Sequence, residues 1–262
     1  MASSSIEHDA TVNKSKRYVR PLNELWEMWK PRVKNRVYPF TYAVYEDVER
    51  VMTSLTSYDR DKWAAAFSAV AKPYEEKAAQ AEKAGDKQSA KENYLRAYQY
   101  YKMARYPTIN SVGKKEAYRK SQEMLLKASR YFDIPIERVE IPFKGKPGEG
   151  NKIPAYLRLP KTGSGPYPLL LIWGGIDGFK EDQLHDPALE RGVATLAIDG
   201  PGVGDSPLKG SEDAERLFGA VLDWVAMQKN LDSHRVAVWG YSTAVTGRLR
   251  WLTFTKTRLP VQ

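Results

Sequence analysis

The chain has 262 residues, 42% of them hydrophobic and 28% charged, enough for one large domain or two ordinary ones around a sizeable core. It has no cysteine, which excludes a disulfide framework and thiolate metal ligands, and no apolar run approaches the length of a membrane span. The formal net charge is +9, but Lys and Arg are interspersed with acids, as in Tyr74-Glu75-Glu76-Lys77, a pattern of solvated helix faces rather than of a nucleic-acid surface.

Residues 1–14 are polar, contain Glu7 and Asp9, and have the form of neither a signal nor a transit peptide. They are expected to be disordered, and the protein cytoplasmic. Residues 15–132 read as a helical domain. Trp63, Ala66, Phe67 and Val70 recur at helical spacing, and Ala90, Tyr94, Ala97, Tyr101 and Ala104 form a second stripe. Gly85-Asp86 between them predicts a glycine C-cap joining two antiparallel helices, and Pro107 closes the second. Ala117, Ser121, Met124, Ala128 and Tyr131 mark a third helix. The aromatic stripes are assigned to core.

The pattern changes at Asp133, and residues 133–244 read as a partial α/β core. Arg138 to Phe143 and Ile153 to Leu159 are two predicted strands joined by a turn-rich segment. Tyr167 to Trp173, Val193 to Ile198 and Arg235 to Trp239 are apolar without alternation, as in parallel strands covered on both faces. Asp182 to Arg191 and Glu212 to Lys229 are the predicted intervening helices, the second burying Leu217, Val221, Trp224 and Val225. This order implies a doubly covered sheet with right-handed crossovers. The tail 245–262 is atypical: it holds Arg248, Arg250, Lys256 and Arg258 and no acid.

Gly240-Tyr241-Ser242-Thr243-Ala244 follows the last of these strands directly. A nucleophile elbow needs a sharp strand-to-helix turn that raises a serine hydroxyl above the sheet edge, with small residues two before and two after the serine. Gly240 and Ala244 meet that need, and Ser242 is the candidate nucleophile. Gly174-Gly175-Ile176-Asp177-Gly178 leaves the third strand. A glycine-rich loop there can turn a backbone N–H toward an oxyanion, and the residue after the nucleophile supplies a second. Gly175, Ile176 and Thr243 are therefore the oxyanion-hole candidates. Asp199 to Ser206 is rich in glycine but lacks a phosphate-loop pattern, and reads as a turn.

Together, Gly174-Gly175-Ile176-Asp177, Asp199-Gly200-Pro201-Gly202-Val203-Gly204-Asp205-Ser206 and Gly240-Tyr241-Ser242-Thr243 resemble the α/β-hydrolase superfamily. The long helical segment with Ala104-Arg105-Tyr106-Pro107 narrows the resemblance to its helical-capped branch, which includes dihydroxypseudooxynicotine hydrolase and fungal polyketide hydrolases of the yellowish-green pigment and fusarin/cytochalasan types. The similarity runs from about Leu22 to Thr243. It implies an α/β fold with an N-terminal α-helical cap and a truncated α/β-hydrolase parallel sheet. It also implies acyl or carbon–carbon bond hydrolysis in secondary metabolism, on a polyketide-like or aromatic acyl small molecule, with no cofactor and no metal. The cap would shape the pocket, with Trp26, Trp29, Tyr100 and Tyr101 as aromatic candidates for its wall.

In that superfamily the order along the chain is Ser, then Asp or Glu, then His. No Asp, Glu or His follows Ser242, so the expectation is a core that has lost its C-terminal third through a splice, frame or gene-model change. His8 lies in the polar start, and His185 is expected to make a cap or helix contact. His234 opens the strand that ends at the elbow, roughly 25 Å from it at ~3.3 Å per residue. The alternative expectation is a catalytically impaired or non-catalytic binding homologue, with a homodimer favoured by the poorly covered edge strand. Neither nucleic acid nor a membrane is an expected partner.

Overall fold

The computed structural model describes residues 18–211 and 213–242. The sequence assignments for 1–14 and 245–262, including His8, lie outside the described residues. Five helices come first: α1 (Leu22–Lys34), α2 (Tyr45–Ser54), α3 (Arg60–Lys83), α4 (Lys87–Arg105) and α5 (Val112–Ser129). The last three begin on side-chain caps that use a free backbone donor of the first turn. Asp59 accepts from the Lys62 N–H at 2.8 Å, Asp86 from Ser89 at 3.0 Å and Ser111 from Lys114 at 3.3 Å.

The turn between α3 and α4 is the glycine cap expected from sequence. Gly85 has φ +76°, its N–H donates to the Glu82 carbonyl, and the Asp86 N–H donates to the Ala81 carbonyl, which is the paired pattern of a Schellman motif. The stripes on α3, α4 and α5 are core, as their spacing implied. Phe67, Ala90, Tyr94, Ala97, Ala104, Met124 and Ala128 are all buried in one cluster. The tyrosines fit there because each ring is buried while its hydroxyl finds an acid. Tyr94 and Tyr131 donate to Glu82, Tyr101 to Glu75, and Tyr74 and Tyr100 to Asp47.

Five strands follow: β1 (Glu137–Pro142), β2 (Lys152–Arg158), β3 (Tyr167–Trp173), β4 (Ala194–Ile198) and β5 (Leu231–Gly240), in the order β1-β2-β4-β3-β5. The parallel part is β4-β3-β5; β1 and β2 form an antiparallel hairpin whose second strand runs antiparallel to β4. Because side chains alternate faces along a strand, the sheet has two separate cores. Leu169, Leu171, Trp173, Leu196 and Ile198 pack against Leu217, Val221 and Val225 of α7 (Arg216–Ala226). Tyr156 and Ala197 point the other way and join the helical core.

Two predicted helices are shorter than their patterns. Glu212 to Lys229 reduces to Arg216–Ala226, with Trp224 only partly buried. Asp182 to Arg191 is not one helix but a 3₁₀ turn at Lys180–Asp182 and a five-residue α6 at Asp186–Glu190. The Asp182 carboxylate is held by cations of α4, and Pro187 restarts the chain in the first turn of α6. The last strand is longer than Arg235 to Trp239, and it is the outer strand of the sheet among the described residues, with Trp239 51% exposed.

A side chain at the left-handed position of Gly85 has room but not the right backbone energy. Gly85→Ala is expected to lower stability by about 1 kcal/mol in urea denaturation; an unchanged or higher midpoint would show that the α3–α4 turn does not depend on that cap.

Candidate active site

Strands β3 and β5 are parallel neighbours whose last residues face each other, Trp173 opposite Gly240 and Ile172 opposite Trp239. The segments that leave them, Gly174-Gly175-Ile176 and Tyr241-Ser242, therefore depart side by side from one edge of the sheet. In open α/β sheets this carboxyl edge is where ligands bind. Ser242 is exposed and has φ +61°. That left-handed backbone is costly for a residue with a Cβ, and non-glycine residues held there cluster at functional turns. Ile176 is 58% exposed on the facing loop. Thr243 lies outside the described residues.

Gly174 lets the facing loop fold back on itself: a Cβ there would lie 2.1 Å from the Gly178 carbonyl oxygen. The next turn of chain is pinned to the elbow by the Gln183 amide, whose Nε2 lies 2.7 Å from the Tyr241 hydroxyl.

The helical half grips the same loop. The Asp177 carbonyl accepts from the Arg105 guanidinium at 2.8 Å and from the Tyr38 hydroxyl at 3.1 Å, and its carboxylate accepts from Tyr106 at 3.0 Å. Arg105 also lies 3.6 Å from the centre of the Phe179 ring and pairs with Asp182 at 3.1 Å. Lys102 reaches the other oxygen of Asp182 at 2.7 Å, and Tyr98 donates to it at 2.9 Å. Burial alone would raise the Asp182 carboxyl, but Lys102 and Arg105 outweigh it and hold it below the usual carboxylate range.

A second buried ion cluster lies one residue along. Lys180 is fully buried and its ammonium meets Asp199 at 2.9 Å, Asp205 at 2.8 Å, Glu181 at 2.9 Å and the Tyr118 hydroxyl at 2.8 Å. Gln122 of α5 donates to Glu181 and Asp205. Burial pushes the Glu181 carboxyl up despite Lys180, as expected where several carboxylates share one cation. This accounts for the Asp199 to Ser206 segment: it is a turn, and its acids brace the loop rather than hold a phosphate. Ser206 donates to the Leu208 carbonyl.

Beside Asp177 the helices leave a cleft of about 570 Å³, whose wall includes Trp29, Tyr38, Trp63 and Tyr106. Of the aromatic wall candidates, Trp29 lines it, whereas Trp26, Tyr100 and Tyr101 are helical core. His185 precedes α6 with its ring 5.3 Å from that of Trp239, a packing contact, and burial lowers its pKa. His234 is near the far end of β5, its N–H on Asp232. No histidine or carboxylate is hydrogen-bonded to Ser242 among the described residues, and none of their His, Asp and Glu groupings could hold a metal ion.

The structure thus brings Ser242, Gly175 and Ile176 to one edge. Arg105, Asp177, Asp182 and Lys180 were not assigned a role from sequence. Their only local signal was a set of charged residues inside otherwise apolar surroundings, Arg105 at the end of a buried stripe and Lys180-Glu181-Asp182 after a glycine loop.

Comparison with known proteins gives the chain a family and a fold. The family model described as esterase FrsA-like matches residues 3–261. A hydrolase of Pyricularia oryzae named ORFZ is 30% identical over 227 residues, covering 76% of this chain and 53% of that protein. The 2,6-dihydropseudooxynicotine hydrolase of Paenarthrobacter nicotinovorans is 30% identical over 191 residues, covering 70% of this chain and 50% of that one. The crystal structure of 2,6-dihydroxy-pseudo-oxynicotine hydrolase superposes with a TM-score of 0.64 at 25% identity, over 80% of this chain and 58% of that one. The chain spans about half the length of the curated relatives it matches.

Asp182→Asn should cost ~3–5 kcal/mol at neutral pH, the usual effect of removing one partner of a buried ion pair. Because the folded carboxyl is depressed, its contribution is complete above the ordinary carboxylate value of ~3.9 and is lost as pH falls through the folded value. Urea midpoints measured across acid pH should therefore fall less steeply in the variant; parallel curves would remove the ion cluster from the account of stability.

Proposed function

Since the chain belongs to the esterase FrsA-like family and has the α/β-hydrolase fold of its structural neighbours, we propose that it is a serine hydrolase in which Ser242 attacks an acyl or ketone carbon. The observation that carries this reading is the shared exit of β3 and β5, which sets the strained, exposed Ser242 beside the Gly175-Ile176 loop. The oxyanion formed on attack would be met by the N–H groups of Ile176 and Thr243, with Gly175 allowing close approach. Residues 15–132 act as the cap, 133–244 as the core, and the cleft beside Asp177 takes the part of the substrate that is not cleaved. The substrate class is a polyketide-like or aromatic acyl compound of secondary metabolism, by analogy with relatives of the capped branch.

Attack by Ser242 needs a base. In this fold that base comes from a part of the chain that follows the nucleophile, and the described residues end at Ser242. A second reading is a homologue that binds the substrate class without cleaving it efficiently. An oxyanion hole alone retains only part of a triad enzyme's acceleration.

The two readings separate in one experiment. Hydrolysis of a simple aryl ester by the full chain is expected to fall by at least ~1,000-fold in Ser242→Ala, and a fluorophosphonate should label the native chain stoichiometrically at Ser242. A folded, monodisperse protein that neither turns over the ester nor takes the label would replace the hydrolase with the binding homologue.

A further inference from the structure

The cleft beside Asp177 is unusually cationic. Arg20, Arg32, Arg60 and Lys114 line it against the single carboxylate of Asp177. Among the described residues none of the four cations belongs to an ion pair; three of them spend one donor on a backbone carbonyl. Arg32 donates to Tyr38 at 2.9 Å, Arg60 to Asn110 at 3.3 Å, and Lys114 to Tyr106 at 2.6 Å. The nearest other acid, Asp61, is turned to the Gly113 N–H at 2.9 Å. Lys114 is the most telling. It is 5% exposed, and an ammonium so buried is ordinarily paired with a carboxylate. Burial, with Arg60 and Arg105 nearby, pushes it down to about 8 against the opposing pull of Asp61. Next to it, Trp29 stands edge-on to both Trp63 and Tyr106, at 5.9 and 6.0 Å, and the three rings make an apolar wall.

We infer that this cleft takes an aryl carboxylate, its ring against Trp29 and Tyr106 and its carboxylate on the Lys114 ammonium, with Arg60 at the exposed side. A carboxylate accepts charge-assisted hydrogen bonds from both cations at once, and it supplies the counter-charge that Lys114 lacks. The inference rests on the reading of the cleft as the substrate pocket of a capped hydrolase, and narrows the aromatic acyl class to acids.

Isothermal titration of the full chain with 2-naphthoate, and with 2-naphthamide as an uncharged analogue of the same shape, tests it. The carboxylate should bind at least about tenfold more tightly than the amide. Arg60→Gln should remove about tenfold of the carboxylate affinity and leave the amide unaffected. Lys114→Met should remove more, and since Lys114 is buried and its replacement could fail to fold, the exposed Arg60→Gln carries the decision. Equal affinity for the two ligands, no binding of 2-naphthoate, or an unchanged affinity in Arg60→Gln overturns the assignment. The titration reads no turnover, so an inert Ser242 leaves a positive result standing, while an active esterase that ignores 2-naphthoate refutes the cleft alone.

Discussion

Lys102, Arg105 and Asp182 place two cations and one anion in the interior, each side chain at 3% exposure or less. Isolated charges at that depth cost several kcal/mol each after relaxation, so the group persists only while α4 and the chain after β3 remain together. The surplus positive charge is spread further: Arg105 reaches the Asp177 carbonyl and the face of Phe179, and Lys102 lies over Tyr38. Every one of these partners joins the helices to the loop that leaves β3. The position of that loop, and with it the geometry of the sheet edge, therefore depends on a contact between segments separated by 72 to 77 residues.

The Lys180 cluster extends the same logic to β4 and α5. Asp199 leaves the end of β4 and accepts both the Lys180 backbone N–H and its ammonium, while Tyr118 and Gln122 reach across from α5. Two ion clusters, one around Asp182 and one around Lys180, thus hold the glycine loop against the helices while the turn at Tyr241-Ser242 is held against the sheet by strand pairing and by Tyr241 on Gln183. Buried polar networks of this kind specify one arrangement because a partly satisfied alternative is worse than none. Such rigidity would suit the proposed oxyanion site, since donors contribute most when they need no reorganisation as charge develops.

The helical stripes, the glycine cap at Gly85 and the change of period at Asp133 were legible because each is set by local physics: burial repeats at 3.6 residues in a helix and 2 in a strand, and the left-handed turn favours glycine. The turn that leaves β5 at Ser242 was legible for a related reason. A strand, a small residue, a serine and another small residue are consecutive, and the strained φ of Ser242 is a property of that short turn. By contrast, the stretch from Asp182 to Arg191 looks helical in isolation and is broken in the fold, because the Asp182 carboxylate is needed elsewhere.

From the sequence alone came most of the elements in their order, an α/β-hydrolase type of core behind a helical segment, and Ser242, Gly175 and Ile176 as candidate site residues. Those conclusions need only neighbours along the chain. Tertiary structure alone decided that among the described residues the parallel part of the sheet is three strands beside an antiparallel hairpin, that Arg105 and Lys180 are interior charges, and that Lys114 lines a cationic cleft without a described carboxylate paired to it. A charged residue in a sequence reads as surface, because exposure is the usual way to solvate it. Whether it is instead buried depends on partners that arrive from distant segments, and no local pattern records which ones they are.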